Sequence, residues 1–95
     1  MREFKVGDIV QHFKRELVDT KLVPTAYLYE IIAFATHSET GEKYVVYKAL
    51  YHNDNVEVGH VCVRPYDMFM SPVDREKYPQ IKQLFRFEIF SRSAE

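Results

Sequence analysis

Two stretches of the chain carry apolar residues on alternate positions and on the positions between them. Ala26 to Thr36 places Tyr29, Ile31, Ala33 and Ala35 on one strand face and Leu28, Glu30, Ile32 and Phe34 on the other. Lys43 to Tyr51, Lys-Tyr-Val-Val-Tyr-Lys-Ala-Leu-Tyr, is again apolar on both faces at its centre. A helix is the competing reading of so short an apolar run. Adjacent valines, three tyrosines and flanking turn signals decide for strand. Between the two lies His37-Ser38-Glu39-Thr40-Gly41-Glu42, with Gly41 at the left-handed position of a type I turn followed by a bulge. The pattern therefore predicts one central hairpin: strand Tyr27 to Thr36, turn His37 to Glu42, strand Lys43 to Tyr51.

The flanks supply shorter signals. Val6-Gly7-Asp8 is a turn leading into a β-rich run, Ile9 to Phe13. Lys14 to Thr25 is too long and mixed for a tight turn and reads as an extended loop. His52 to Asn55 is a polar turn. His60-Val61-Cys62-Val63-Arg64 alternates, with Val61 and Val63 the expected inward pair, and Pro65 ends the ladder because it has no amide hydrogen. Tyr66 to Met70 fits one helical turn. Ser71-Pro72-Val73-Asp74 has a helix-start pattern, but Pro79 limits residues 72–83 to short turns. Leu84 to Phe90 is the last expected strand, with Phe85, Phe87 and Ile89 on one face. The tally is mainly β, five strands in the order of a small SH3-like barrel, with helical turns near 66–70 and 72–83. Strands apolar on both faces suit a closed, bent barrel.

Composition narrows the class. Ninety-five residues, 46% of them apolar, suffice for one core and one domain, expected over residues 1–90 with a frayed tail at 91–95. Thirteen basic and 14 acidic residues are mixed along the chain. No segment therefore has the clustered Lys and Arg typical of a nucleic-acid face. One cysteine, Cys62, excludes an internal disulfide and suits a reducing compartment. No apolar run follows Met1 to Lys5, and none approaches the ~20 residues of a membrane span. The cytoplasm is the expected location.

Several segments carry a family resemblance. His12-Phe13-Lys14, Tyr29 to Ile32, Ala35 to Glu42, Val45 to Tyr51, Val63-Arg64-Pro65 and Met68-Phe69 resemble a bacterial family known as domain of unknown function 1653. The resemblance continues through Val73 to Pro79 and Arg86-Phe87-Glu88 of its longer members. It implies a compact SH3-like barrel and no particular activity. The chain departs from the short members by an insertion, Arg15 to Thr25, after the first strand.

Candidate chemistry is sparse. His37 and Glu39 flank a turn and form a potential acid–base pair, but no nucleophile accompanies them, and capping of the turn by Ser38, Glu39 and Thr40 is the structural alternative. His52, His60 and Cys62, with His12, are the candidate metal ligands, without the spacing of a zinc site. No metal or cofactor is expected. Arg64, on the face of His60 and Cys62, suits a carboxylate or other anion through its planar fork. Tyr47 is one of many strand tyrosines, and Tyr66, Met68 and Phe69 would form an aromatic groove with Lys14 and the loop after it.

The candidate binding residues are thus His12, Lys14, His37, Glu39, Tyr47, Arg64, Tyr66, Met68 and Phe69. The leading expectation is a non-catalytic module for a protein or peptide partner. The alternatives are an RNA or ribonucleoprotein accessory domain using a stripe of Lys14, Arg15, Lys21 and Lys48, and a small enzyme or ligand site uniting His37, Glu39 and Arg64.

Overall fold

The computed structural model describes residues 3–53 and 56–91. Five antiparallel strands form one sheet: β1 (Ile9–His12), β2 (Leu28–Thr36), β3 (Lys43–Ala49), β4 (Val61–Pro65) and β5 (Phe87–Ile89), in the order β4-β3-β2-β1-β5. A 3₁₀ helix, Phe13–Leu17, follows β1, and one helical turn, α1 (Tyr66–Phe69), follows β4. The sheet curls without closing. β4 and β5 are its two edges, and Phe87 of β5 meets Arg64 of β4 by side chains, with the guanidinium 5.3 Å from the ring centre.

The central hairpin forms as its pattern predicts. Gly41 takes φ 78°, a conformation costly for any side-chain-bearing residue. The turn is closed by His37 N–H to the Glu42 carbonyl at 2.7 Å and Gly41 N–H to the His37 carbonyl at 2.9 Å. The faces of β2 do not follow simple alternation. Ile31 pairs with Tyr47 and Ala33 with Val46, so Ile32 is the extra residue of a β-bulge. Beyond it the parity reverses, and Phe34, opposite Val45, joins Tyr29 and Ile31 on the inner face.

The same pairing corrects the expectation for β4. Val45 and Tyr47 are buried, and their partners across the ladder are Arg64 and Cys62. Those two face inward. Val61 and Val63, opposite Lys48 and Val46, face outward and are 56% and 59% exposed. The core inside the curl is Val10, Ile31, Val45, Tyr47, Phe69 and Phe87. Phe69 and Phe87 stack with centroids 4.0 Å apart.

One further expectation needs correction. The segment after Phe13 opens with a 3₁₀ helix, and it is not an open loop beyond that. Arg15 donates to the Pro24 and Ala26 carbonyls at 2.9 and 2.8 Å, which folds Thr20, Pro24 and Thr25 beside Ile9, Leu28 and Phe90. Leu28 is buried there, on the sheet face opposite the core.

Residues 72–83 form no helix. Two short turns develop, as the prolines predict: Tyr78 N–H to the Asp74 carbonyl and Ile81 N–H to the Tyr78 carbonyl. The amides that follow are taken by carboxylates: the distant Glu16 accepts from Lys82 and Gln83, and the nearby Glu88 from Leu84 and Phe85. Gln83 bonds side chain to side chain with Gln11 of β1, and β5 begins only at Phe87. Phe13, Val73 and Ile81 form a second small cluster beneath this segment.

Of the polar turn after β3, Asp54 and Asn55 lie outside the described residues, as do residues 92–95 of the expected tail.

Candidate functional site

The open end of the curl is where chemistry concentrates. His12 closes β1 and caps the 3₁₀ helix: the Lys14 N–H donates to its Nδ1 at 3.1 Å. Its ring stacks on Phe13 with centroids 4.4 Å apart and meets Phe87 edge-on at 5.0 Å. Only 7% of the residue is exposed. Desolvation by burial, then the charges of Arg64, Lys14 and Arg86, lower its pKa from 6.5 to about 3. His12 is therefore neutral near pH 7. Since Nδ1 accepts, the proton sits on Nε2.

Among the described residues Nε2 has no hydrogen-bond partner. Among the described residues, no buried side-chain nitrogen or oxygen is left unpartnered, so Nε2 is reached by solvent. It is reached through a cleft of about 280 Å³ lined by His12, Phe13, Lys14, Arg64, Asp74, Lys77, Tyr78 and Arg86.

Four cations converge on this cleft, and each is placed by its element. Arg64 projects inward from β4, held above Phe87 and donating from Nε to the Tyr47 hydroxyl at 3.2 Å. Burial pushes the Tyr47 phenol up, partly offset by Arg64, which keeps it a neutral acceptor. Arg86 precedes β5 and donates from Nε to Ser71 Oγ at 3.3 Å. Lys14 is the second residue of the 3₁₀ helix, and Lys77 sits in the Asp74–Tyr78 turn, its ammonium 5.6 Å from the Tyr78 ring centre.

Asp74 is the one acidic residue of the lining. Its Oδ1 is occupied by the backbone N–H groups of Glu76 and Lys77. Among the described residues, no carboxylate lies within ion-pair distance of Lys14, Arg64, Lys77 or Arg86; the pair that does form is Lys48 with Glu30, 3.6 Å apart on the sheet. Both arginines are anchored through Nε, and among the described residues their terminal nitrogens have no hydrogen-bond partner. Such an arrangement is suited to holding an anion.

The structure unites His12, Lys14, Arg64 and, through Arg64, Tyr47. It does not bring His37 or Glu39 to them. Both are exposed at the hairpin tip, where His37 Nδ1 accepts the N–H groups of Glu39 and Thr40 at 3.1 and 3.2 Å. Tyr66 lines a different groove, with Phe4, Phe34 and Tyr44. Met68 is exposed, whereas Phe69 is fully buried against Phe87 and has no surface to offer a partner. The loop after Lys14 packs beside Leu28 and Phe90 and shares no cavity with Tyr66, so the expected aromatic groove between them is not assembled.

Among the described residues no three His, Cys, Asp or Glu side chains are placed to hold a metal ion. His52 and His60 are exposed, and Cys62 is a half-buried free thiol.

Asp74, Lys77, Tyr78 and Arg86 were absent from the candidate residues. Their signal lay in the family resemblance, which runs through Val73 to Pro79 and Arg86 to Glu88. A family model described as "Protein of unknown function (DUF1653)" matches residues 8–89. No curated protein and no solved structure matches the chain.

Proposed function

The chain belongs to the DUF1653 family, and we propose that it is a non-catalytic protein-interaction module that takes an acidic segment of a partner protein into the cationic cleft. One observation carries this reading. Lys14, Arg64, Lys77 and Arg86 surround a concave site with no carboxylate paired to any of them. In a chain of formal net charge -1, four uncompensated cations at one place make a local field that steers and orients an acidic partner.

The cleft's other groups suit binding over catalysis. His12 spends Nδ1 on a cap, Asp74 spends Oδ1 on its turn, and Ser71 Oγ donates to the Met68 carbonyl at 2.6 Å. The lining holds no serine, threonine or cysteine to serve as a nucleophile. The strand order, with α1 between β4 and β5, supports an SH3-like barrel left open at one side and formed as a single domain over residues 1–90. Cys62, a free thiol, supports a reducing compartment such as the cytoplasm. Among the described residues no helix is long and apolar enough to cross a membrane.

The RNA alternative has less support. Of the stripe it needs, Arg15 is spent on the Pro24 and Ala26 carbonyls and Lys48 on Glu30. The enzyme alternative needs His37 and Glu39 beside Arg64, and neither lines the cleft.

The test is a ¹H–¹⁵N titration of the chain with a short peptide of alternating glycine and aspartate. Shifts confined to residues 12–14, 64, 74–78 and 86, weakening steeply with added salt, are the expected result. Shifts centred on Phe34, Tyr44 and Tyr66 would move the binding face to the other groove and sink this reading.

A further inference from the structure

We infer that the group received by the cleft is a phosphate monoester on a side chain of the partner protein, held by the free ends of Arg64 and Arg86 with Lys14, Lys77 and the Nε2–H of His12. This rests on the cleft being the binding face. It goes further by naming the chemical group.

The charge count separates the two acidic groups a protein offers. A carboxylate brings one negative charge and two oxygens, and one arginine fork satisfies it. Here two arginines and two lysines line one site, against a single carboxylate whose Oδ1 is already used. A phosphorylated side chain brings close to two charges and three terminal oxygens, enough acceptors for donors arriving from several elements.

The donors are also pre-set. Each arginine is held by its Nε, Arg64 on the Tyr47 hydroxyl and Arg86 on Ser71 Oγ, so little side-chain freedom remains to be lost on binding. The end left free is the planar Nη1/Nη2 edge, whose two parallel N–H directions match two oxygens of one tetrahedral anion. His12 adds a neutral donor. Its Nδ1 is fixed as an acceptor by Lys14, so Nε2–H is the form present, and that donor needs no protonation to bind.

Size points the same way. At about 280 Å³ the cleft falls just short of the roughly 300–1,000 Å³ typical of pockets that enclose whole small molecules. It suits one side-chain head group with the rest of its chain outside.

A nucleic-acid backbone offers the same element with different demands. Each phosphodiester carries one charge, and successive phosphates ask for cations in a row. The cations here converge, and Arg15 and Lys48, which an RNA-binding stripe would need, are engaged elsewhere.

The experiment titrates the full chain with five probes. They are a glycine–alanine peptide with one central phosphoserine, the same peptide with serine, the same with glutamate, inorganic phosphate, and a single-stranded oligouridine. The phosphoserine peptide is expected to bind roughly tenfold or more tighter than the glutamate peptide, as a charge-assisted contact with the dianion requires. It should also bind tighter than inorganic phosphate, with the serine peptide silent. Arg86→Gln and the exposed Lys77→Gln should each weaken it several-fold, with unchanged melting temperature for Lys77→Gln.

Equal affinity for glutamate and phosphoserine peptides overturns the phosphate assignment and leaves the acidic-partner reading standing. Inorganic phosphate binding as tightly as the peptide assigns the cleft to a small free anion. Tightest binding by oligouridine overturns both the phosphate-on-protein inference and the protein-partner reading. Silence from every probe overturns the cleft as a binding face.

Discussion

His12 and His37 make the same local hydrogen bond in two unlike places. Each imidazole accepts at Nδ1, from a backbone N–H two residues further on, at 3.1 Å: Lys14 for His12, Glu39 for His37. At the hairpin tip the arrangement ends there. The ring is exposed, its nearest aromatic neighbour is Tyr44 with centroids 6.5 Å apart, and the bond finishes a turn. At the end of β1 the same cap turns the ring inward, against Phe13, Phe87 and Tyr27, where His12 lines a cationic cleft. The chain makes one motif twice. What surrounds it decides whether it is a turn or a site.

The largest expected separation between the two is in stability. His12→Ala removes a buried ring and a helix cap together, and should cost about 3 kcal/mol or more in urea unfolding. A loss below about 1 kcal/mol would mean the ring is no part of the core. The pH dependence comes next. Folded His12 resists protonation down to about 3, whereas the unfolded side chain takes a proton near 6.5. Between those values the unfolded state holds more protons, so stability falls as the solution is acidified, by up to about 1.4 kcal/mol per unit.

The groups facing His12 are Arg64 from β4, Lys14 from the 3₁₀ helix, Arg86 before β5, and Asp74 and Lys77 across the cleft. The upper part of the window, pH 6.5 to 5, lies above ordinary carboxylate titration and isolates the histidine. His12→Gln should flatten the slope there, and an unchanged slope would assign it to another group. The smallest effect is expected at the tip. His37→Ala loses the two exposed turn hydrogen bonds to Nδ1, about 0.5–1 kcal/mol, and should leave peptide binding at the cleft untouched.

The comparison also shows which parts of the molecule were legible in the sequence. The hairpin was, because its evidence is local: two dense apolar runs and a glycine at the left-handed turn position. A turn capped by its own side chains was legible there too, through Thr40, whose Oγ1 accepts from the Glu42 N–H; that His37 Nδ1 supplies the other cap was not.

The facing of β4 was not legible. Val61 and Val63 alternate with Cys62 and Arg64, and either set suits an inward face until the register with Val45 and Tyr47 is known. Ile32 was equally opaque, since a bulge depends on how the neighbouring strand pairs. The prolines at 72 and 79 resembled the edges of helical turns, while the decisive partners for the following amides were Glu16 and Glu88.

The cleft was legible only in part. His12, Lys14 and Arg64 each had a reason of their own to be singled out. Their convergence with Lys77 and Arg86 depends on four segments meeting, and nothing in the spacing of one segment reports that.

The most direct measurement follows side-chain N–H signals. In a ¹H–¹⁵N spectrum, the Nε–H groups of Arg64 and Arg86 and the Nε2–H of His12 report on the cleft, and the backbone amides of Glu39 and Thr40 report on the tip. Adding the glycine–aspartate peptide at low salt should move the first set in one saturable process and leave the second in place. Movement at Glu39 and Thr40 with a silent cleft would contradict the account.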